Sequence, residues 1–273
     1  MAKLGAHHHK RALLSRVILG GFLLGLSLVI IPVAQAQNSL SSGDRDAFLS
    51  GKSKDCSGCN LSDAQLQRRD LSGADLTGAD LSYASLHRAN LRGAKLEGAN
   101  LSGANLNKTN FQQANLIGAN LSNVLLYEAD LSAAKLDGAK IIDSRAQFVR
   151  LTQASMKKAQ LMGSLLRSAN LTGADLSDGD VSRSNFEDSL LRRTNLTRAN
   201  LYGAAFQKVK MNDANLSGAH GTQVDFQAAD LRNADLSNAD LQGCRFSQAN
   251  MDGTKLSGLN WSGSLMPDGR EHE

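Results

Sequence analysis

The sequence predicts an all-β fold, a four-sided β-solenoid of about ten coils, and three observations predict it. From Cys59 to Met266 the chain keeps a five-residue beat without a slip, with apolar centres at 61, 66, 71, 76 and onward to 266. The consensus reads A-(D/N)-L-(S/T)-G, as in Ala74-Asp75-Leu76-Thr77-Gly78, so a small residue is expected two places before each centre. Phe186, Phe206, Phe226 and Phe246 recur at intervals of twenty.

A period of five fits neither a helix at 3.6 nor a flat strand at 2. A fixed self-similar period signals a repeat architecture. The alternation small-polar-large turns the centre and the residue two before it to one side, and the polar residue between them to the other. The Ser/Thr and Gly that follow suit a corner, because small hydroxyls bond locally to backbone and glycine accepts positive φ. Each pentapeptide is therefore a very short strand plus a corner. The spacing of the phenylalanines makes four pentapeptides one coil and stacks the four rings in one interior column. About ten coils at the inter-strand spacing give a rod on the order of 50 Å long.

Taken in order, residues 1–36 read as a secretory signal peptide. Lys10, Arg11 and Arg16 form a basic start, Val17 to Val33 is apolar, and Ala34-Gln35-Ala36 offers a small-x-small cleavage site before Gln37. The alternative is an uncleaved membrane anchor, for which the apolar run is short. The whole chain has formal charge +4, and that sign resides in this segment. It holds Lys3, Lys10, Arg11 and Arg16 and no acid, so without it Lys and Arg fall from 30 to 26 and equal the 26 acids. A balanced mature chain has no global field to steer a nucleic acid or other polyanion. Export predicts a disulfide-permissive compartment.

Residues 37–58 are the expected N-terminal cap, needed because a terminal coil exposes unpaired strand edges. Ser42 is placed to N-cap a short helix over Asp44–Leu49, with Phe48 and Leu49 covering the first coil. The repeat, 59–266, has a leucine interior with two weak centres. Ala146 and Gly221 replace large residues, so a void or a pinched coil is expected at each. Met156, Met211, Met251 and Trp261 keep their volume. Residues 267–273 form a short polar tail with no dimerising helix visible, which leaves Trp261 and Met266 as the expected lid and the oligomeric state open.

Cys56-Ser57-Gly58-Cys59 is the most suggestive local motif. A thioredoxin-like pair needs a βαβ setting, and a structural zinc needs four ligands, whereas Cys244 falls about nine coils away. A stapling disulfide between Cys56 and Cys59 is favoured, with a pair of free thiols and a redox or metal role left open, both cysteines facing inward by register. Cys244 reads as a buried stand-in for alanine. The Asp and Asn residues sit where the repeat dictates and face outward to satisfy corner backbone. No carboxylate pair, His cluster or glycine-rich phosphate loop stands out, and His87 and His220 are isolated. No catalytic residue, cofactor or metal is expected.

The outward positions depart from consensus on one wall. The period of twenty aligns Leu125, Arg145 and Leu165, then Tyr127, Gln147 and Arg167, then Glu128, Phe148 and Ser168. Interfaces favour aromatics and arginine, so Leu125, Tyr127, Arg145, Phe148, Leu165 and Arg167 form a candidate interaction wall. The segment 144–168 also holds Arg145, Arg150, Lys157, Lys158 and Arg167 and no acid. The competing reading is relaxed consensus, with Phe148 filling room left by Ala146.

Over residues 59–266 the motif resembles the pentapeptide-repeat family, A(D/N)LXX. That resemblance implies a right-handed quadrilateral β-helix with the centre and the residue two before it inside. It also implies a non-catalytic binding module, frequent among exported and lumenal cyanobacterial proteins, with a protein as partner. Contact with a membrane is expected only through an uncleaved N-terminus. Some members mimic DNA against a type II topoisomerase, but those are acidic rods in the cytoplasm. An enzyme would need a concave polar pocket, which flat walls do not offer.

Overall fold

The computed structural model describes residues 45–272, so the signal-peptide reading of 1–36 and the roles of Ser42 and Asp44 lie outside the described residues. From Asp55 onward every fifth residue forms a parallel bridge with the residue twenty ahead, from Asp55–Asp75 to Arg245–Leu265. One coil therefore takes four pentapeptides, as the phenylalanine spacing predicts. The four walls are named here A, B, C and D from their first centres Leu61, Leu66, Leu71 and Leu76.

The same few bonds repeat along the rod. The N–H of Leu61 donates to the Asp80 carbonyl at 2.7 Å and that of Asp80 to the Cys59 carbonyl at 2.9 Å, binding consecutive coils. Within a corner, the Ala74 N–H donates to the Leu71 carbonyl at 3.0 Å. The third corner residue sits at positive φ in every coil, as a type II-like turn demands, for example Gly73 at 66° and Phe148 at 59°. Outward Asp and Asn side chains accept from the N–H two residues on, as Asp80 does from Ser82 at 3.0 Å. They also join across coils, where Asn100 donates to Asp80 at 2.9 Å and Asn120 to Asn100 at 3.2 Å. The polar consensus is thus structural.

The interior is leucine and alanine, nearly all of it inaccessible to water. Each buried leucine contributes about 1.5–3 kcal/mol relative to exposure. Phe186, Phe206, Phe226 and Phe246 stack at centroid separations of 5.0, 5.4 and 5.1 Å. The two weak centres behave differently. Ala146 is buried, and Arg145 beside it keeps its bridges to Leu125 and Leu165, so the coil closes without a break. At Gly221 the coil is pinched: a Cβ there would lie 2.7 Å from the Tyr202 nitrogen and 2.8 Å from the Leu201 carbonyl carbon.

Serine and threonine at the position two before a centre are buried but not idle. The Ser144 hydroxyl donates to the Leu121 carbonyl at 2.8 Å and accepts from the Val124 N–H at 3.3 Å. It inserts into the corner of the preceding coil. Ser264 does the same between Leu241 and Cys244, whereas Ser189 bonds Leu166 and Ala169 while their direct corner bond stays at 3.0 Å. Cys244 follows this pattern rather than standing in for alanine. Its thiol donates to the Gly221 carbonyl at 3.5 Å and takes a bond from the Val224 N–H. Burial pushes that thiol up to about 11. No buried side-chain polar atom among the described residues is left unsatisfied.

Helix α1, residues 45–49, closes the first coil. Phe48 is fully buried and Leu49 packs on the core, as the sequence predicts. The helix ends in a Schellman motif: Gly51 at φ 78° donates to Phe48, and Lys52 donates to Ala47 at 2.8 Å. The expectation of a small residue before every centre fails at Arg69. Its guanidinium donates to the carbonyls of Leu49 at 3.0 Å and Phe48 at 2.9 Å, and lies over the Phe48 ring. A cation there neutralises the negative end of the helix dipole. Leu259 is the other large exception, in the last coil, where no further coil crowds it. The C-terminal segment is more than a tail. It turns through Gly269 and pairs Glu271 antiparallel to Leu265, with Met266 donating to Arg270 at 2.7 Å. Trp261 lies between Phe246 and His272, so the lid is shared with the returning strand.

Candidate protein-interaction wall

Wall B carries its exposed residues because the pentapeptide alternation sends the bridge residue and the two corner residues outward. Leu125, Arg145 and Leu165 occupy one bridge ladder. Leu125 is half-buried, Arg145 is exposed and Leu165 is 38% exposed. At the corner between walls B and C, Tyr127 and Phe148 are 41% and 50% exposed. Their rings meet edge to face, 5.4 Å apart at 74°. Phe148 does not fill space beside Ala146: at positive φ its side chain leaves the corner outward. Lys108, Tyr127, Glu128, Phe148, Arg150, Ser168 and Asn170 bound an open groove of about 530 Å³ there.

The charges around this groove are mostly paired across coils. Arg167 meets Glu187 at 3.0 Å, Lys108 meets Glu128 at 3.3 Å and Arg150 meets Asp130 at 3.8 Å. Lys108, with a hydrogen bond from Tyr127, holds the Glu128 carboxyl below its ordinary value. The same hydrogen bond to Glu128 raises the Tyr127 phenol. Arg145 forms no ion pair among the described residues. Leu125, Arg145 and Leu165 thus lie on the wall B ladder, with Tyr127, Phe148 and Arg167 at its corner with wall C, and Arg167 is committed to Glu187.

Sequence reasoning missed the apolar residues around the other edge of this wall. Ile142, Asp143, Met162, Gly163, Ser182, Arg183 and Tyr202 line a second depression of about 360 Å³ at the corner between walls A and B. Tyr202 is 39% exposed, with the Arg183 guanidinium 5.6 Å from its ring centre. Ile142, Met162 and Tyr202 lie in one column, so applying the period of twenty to the residue after each centre would have found them.

Cys56 and Cys59 are both buried at the top of the rod, with Cα atoms 5.2 Å apart and sulfurs within bonding distance. No group of three or more His, Cys, Asp or Glu able to hold a metal occurs among the described residues. No helix among them is long and apolar enough to cross a membrane. Gln223, Asp225, Cys244, Arg245 and their neighbours line an open corner groove of about 360 Å³, to which Gly221 does not contribute.

Two family models match the chain. "Pentapeptide repeats" matches in eight copies, over 59–98, 84–123, 94–132, 104–141 and 147–183, and "Pentapeptide repeat region" matches 179–256. HetL, a pentapeptide repeat protein involved in heterocyst differentiation regulation from the cyanobacterium Nostoc, is 30% identical. The alignment covers 84% of this chain and 97% of HetL, with a TM-score of 0.44. A pentapeptide repeat protein from the Arabidopsis thaliana thylakoid lumen is 34% identical over 42% of this chain and 69% of its own, with a TM-score of 0.17. QnrB1, a plasmid-mediated fluoroquinolone resistance protein, is 19% identical over 72% of this chain and 86% of its own, with a TM-score of 0.47. No curated protein sequence matches this one. The unbroken bridge ladder and the repeat matches agree: the chain belongs to the pentapeptide-repeat family.

Proposed function

We propose that the protein is a non-catalytic scaffold, exported to a periplasm or thylakoid lumen, that binds a protein partner through wall B. The exposed Tyr127–Phe148 pair carries this reading. Aromatic side chains held edge to face beside unpaired Arg145 are the composition that interface cores favour. The rod itself is a right-handed quadrilateral helix of about ten coils, stapled at its first coil by a Cys56–Cys59 disulfide. The terminal basic-apolar-small pattern of residues 1–36 supports export. The balance of basic and acidic residues in the rest of the chain speaks against a DNA mimic.

Affinity capture from the native compartment tests the reading. The mature protein recovers a specific partner, and the Tyr127→Ala/Phe148→Ala/Arg167→Ala variant recovers at least tenfold less of it. Identical recovery by both would sink the wall assignment.

A further inference from the structure

The corner that ends in Tyr127 and Phe148 begins, toward α1, with a run of cations. Arg68, Arg88 and Lys108 occupy the same corner position in three successive coils, at φ 57°, 59° and 58°. Four other columns pair opposite charges instead. Lys95 pairs with Asp75, Arg150 with Asp130, Arg198 with Asp178, and Arg245 with Asp225, each across one coil. This is the one column in which three cations stack among the described residues. Arg68 and Arg88 are exposed and form no ion pair or side-chain hydrogen bond there. Lys108 is neutralised by Glu128, one coil further on, and Phe148 follows in the same column. The corner thus runs from unpaired cation to neutralised pair to aromatic groove.

Like charges held in register cost free energy unless something of opposite sign answers them. We infer that this corner is a docking track for an extended acidic protein segment, carboxylates against Arg68 and Arg88 and a large apolar side chain in the Tyr127–Phe148 groove. The inference rests on the wall reading above and names its partner chemistry. From Arg68 to Phe148 the track rises four coils, about 19 Å at the inter-strand spacing. Extended chain covers that in about six residues. A nucleic acid fits less well. Two unpaired cations are far fewer than the six to ten phosphate contacts of a typical site. The rings also meet edge to face, so they present no flat stacking platform for bases.

Selection of a random heptapeptide phage library on the immobilised full chain tests the inference. Enriched peptides should carry two or more Asp or Glu residues three to five positions from a large apolar residue. The best of them, measured by fluorescence anisotropy, should bind about tenfold more weakly to Arg68→Glu/Arg88→Glu and lose affinity with added salt. Arg68→Lys/Arg88→Lys should keep most of the binding. Unchanged melting temperatures exclude unfolding in either variant. Peptides without acids, binding indifferent to Arg68→Glu/Arg88→Glu, absence of enrichment, or tighter binding of an oligothymidine each overturn the inference. Peptides lost on Phe148→Ala but indifferent to Arg68→Glu/Arg88→Glu overturn the acidic track and leave the wall reading standing. Indifference to both overturns both.

Discussion

Walls B and D share an interior and differ outside. In the middle coils both bury their centres, Leu126, Ala146 and Leu166 on one, Leu136, Met156 and Leu176 on the other. Outside, wall D is polar and mostly linked across coils, with exposed Lys135 the exception in the middle coils among the described residues. Ser155 donates to Asp137 at 2.6 Å, Lys157 meets Asp175 at 3.7 Å, and Lys95 meets Asp75 at 3.0 Å. Wall B instead shows Tyr127, Phe148, Leu165 and an unpaired Arg145. The solenoid therefore separates two tasks. Inward residues and corner bonds make the fold, and they leave the outward letters free to be spent on recognition.

The comparison fails first if the interior is not equally demanding on every wall. Phe206 touches a ring above and a ring below it, so Phe206→Ala should cost about 3–5 kcal/mol in denaturant unfolding. A loss under 1 kcal/mol would mean that the column is not a packed core. At the first coil, Arg69→Ala removes two charge-assisted bonds to α1. It should lower the local opening free energy of residues 45–53 by about 1.5 kcal/mol in hydrogen exchange, with little effect on wall B.

Ser144→Ala sharpens the claim that hydroxyls two places before a centre are structural. It takes a partner from both Leu121 and Val124 and should cost about 1–2 kcal/mol. A neutral result would mean that the corner simply closes on itself as its neighbours do. The smallest effect concerns acid. Hydrogen bonds from Thr77 and Ser237 hold the Asp75 and Asp235 carboxyls below their ordinary value of 3.8, helped by Lys95 and Lys255 in the next coil. Carboxyls lowered by folding contribute fully above that value and lose their contribution as pH falls through the lower folded values. Thermal scans should be flat from pH 8 to 5 and decline below about pH 4.

Much of this was legible in the sequence, for a physical reason. A period of five leaves the chain no other way to bury every centre, so register, inward cysteines and the four-ring stack follow from spacing alone. The cap helix was legible from Phe48 and Leu49. Arg69 was not, because its role depends on the C-terminus of α1 lying one coil above it. The insertion of Ser144 into the corner of Leu121 and Val124 was hidden for the same reason, being a contact across coils. Phe148 was misjudged as a possible filler because its corner position at positive φ, which turns it away from Ala146, is a backbone property. Part of the site stood in plain view in aligned columns, while Ile142, Met162 and Tyr202 needed the geometry that puts one corner beside the next wall.

Site-specific photo-crosslinking tests the central claim most directly. The photoreactive residue p-benzoylphenylalanine replaces Phe148 on wall B or Ile117 on wall D in the full chain, and the native compartment is irradiated. The account predicts a discrete adduct from position 148 and none above background from position 117. Equal crosslinking from both walls, or an adduct from position 117 alone, would contradict it.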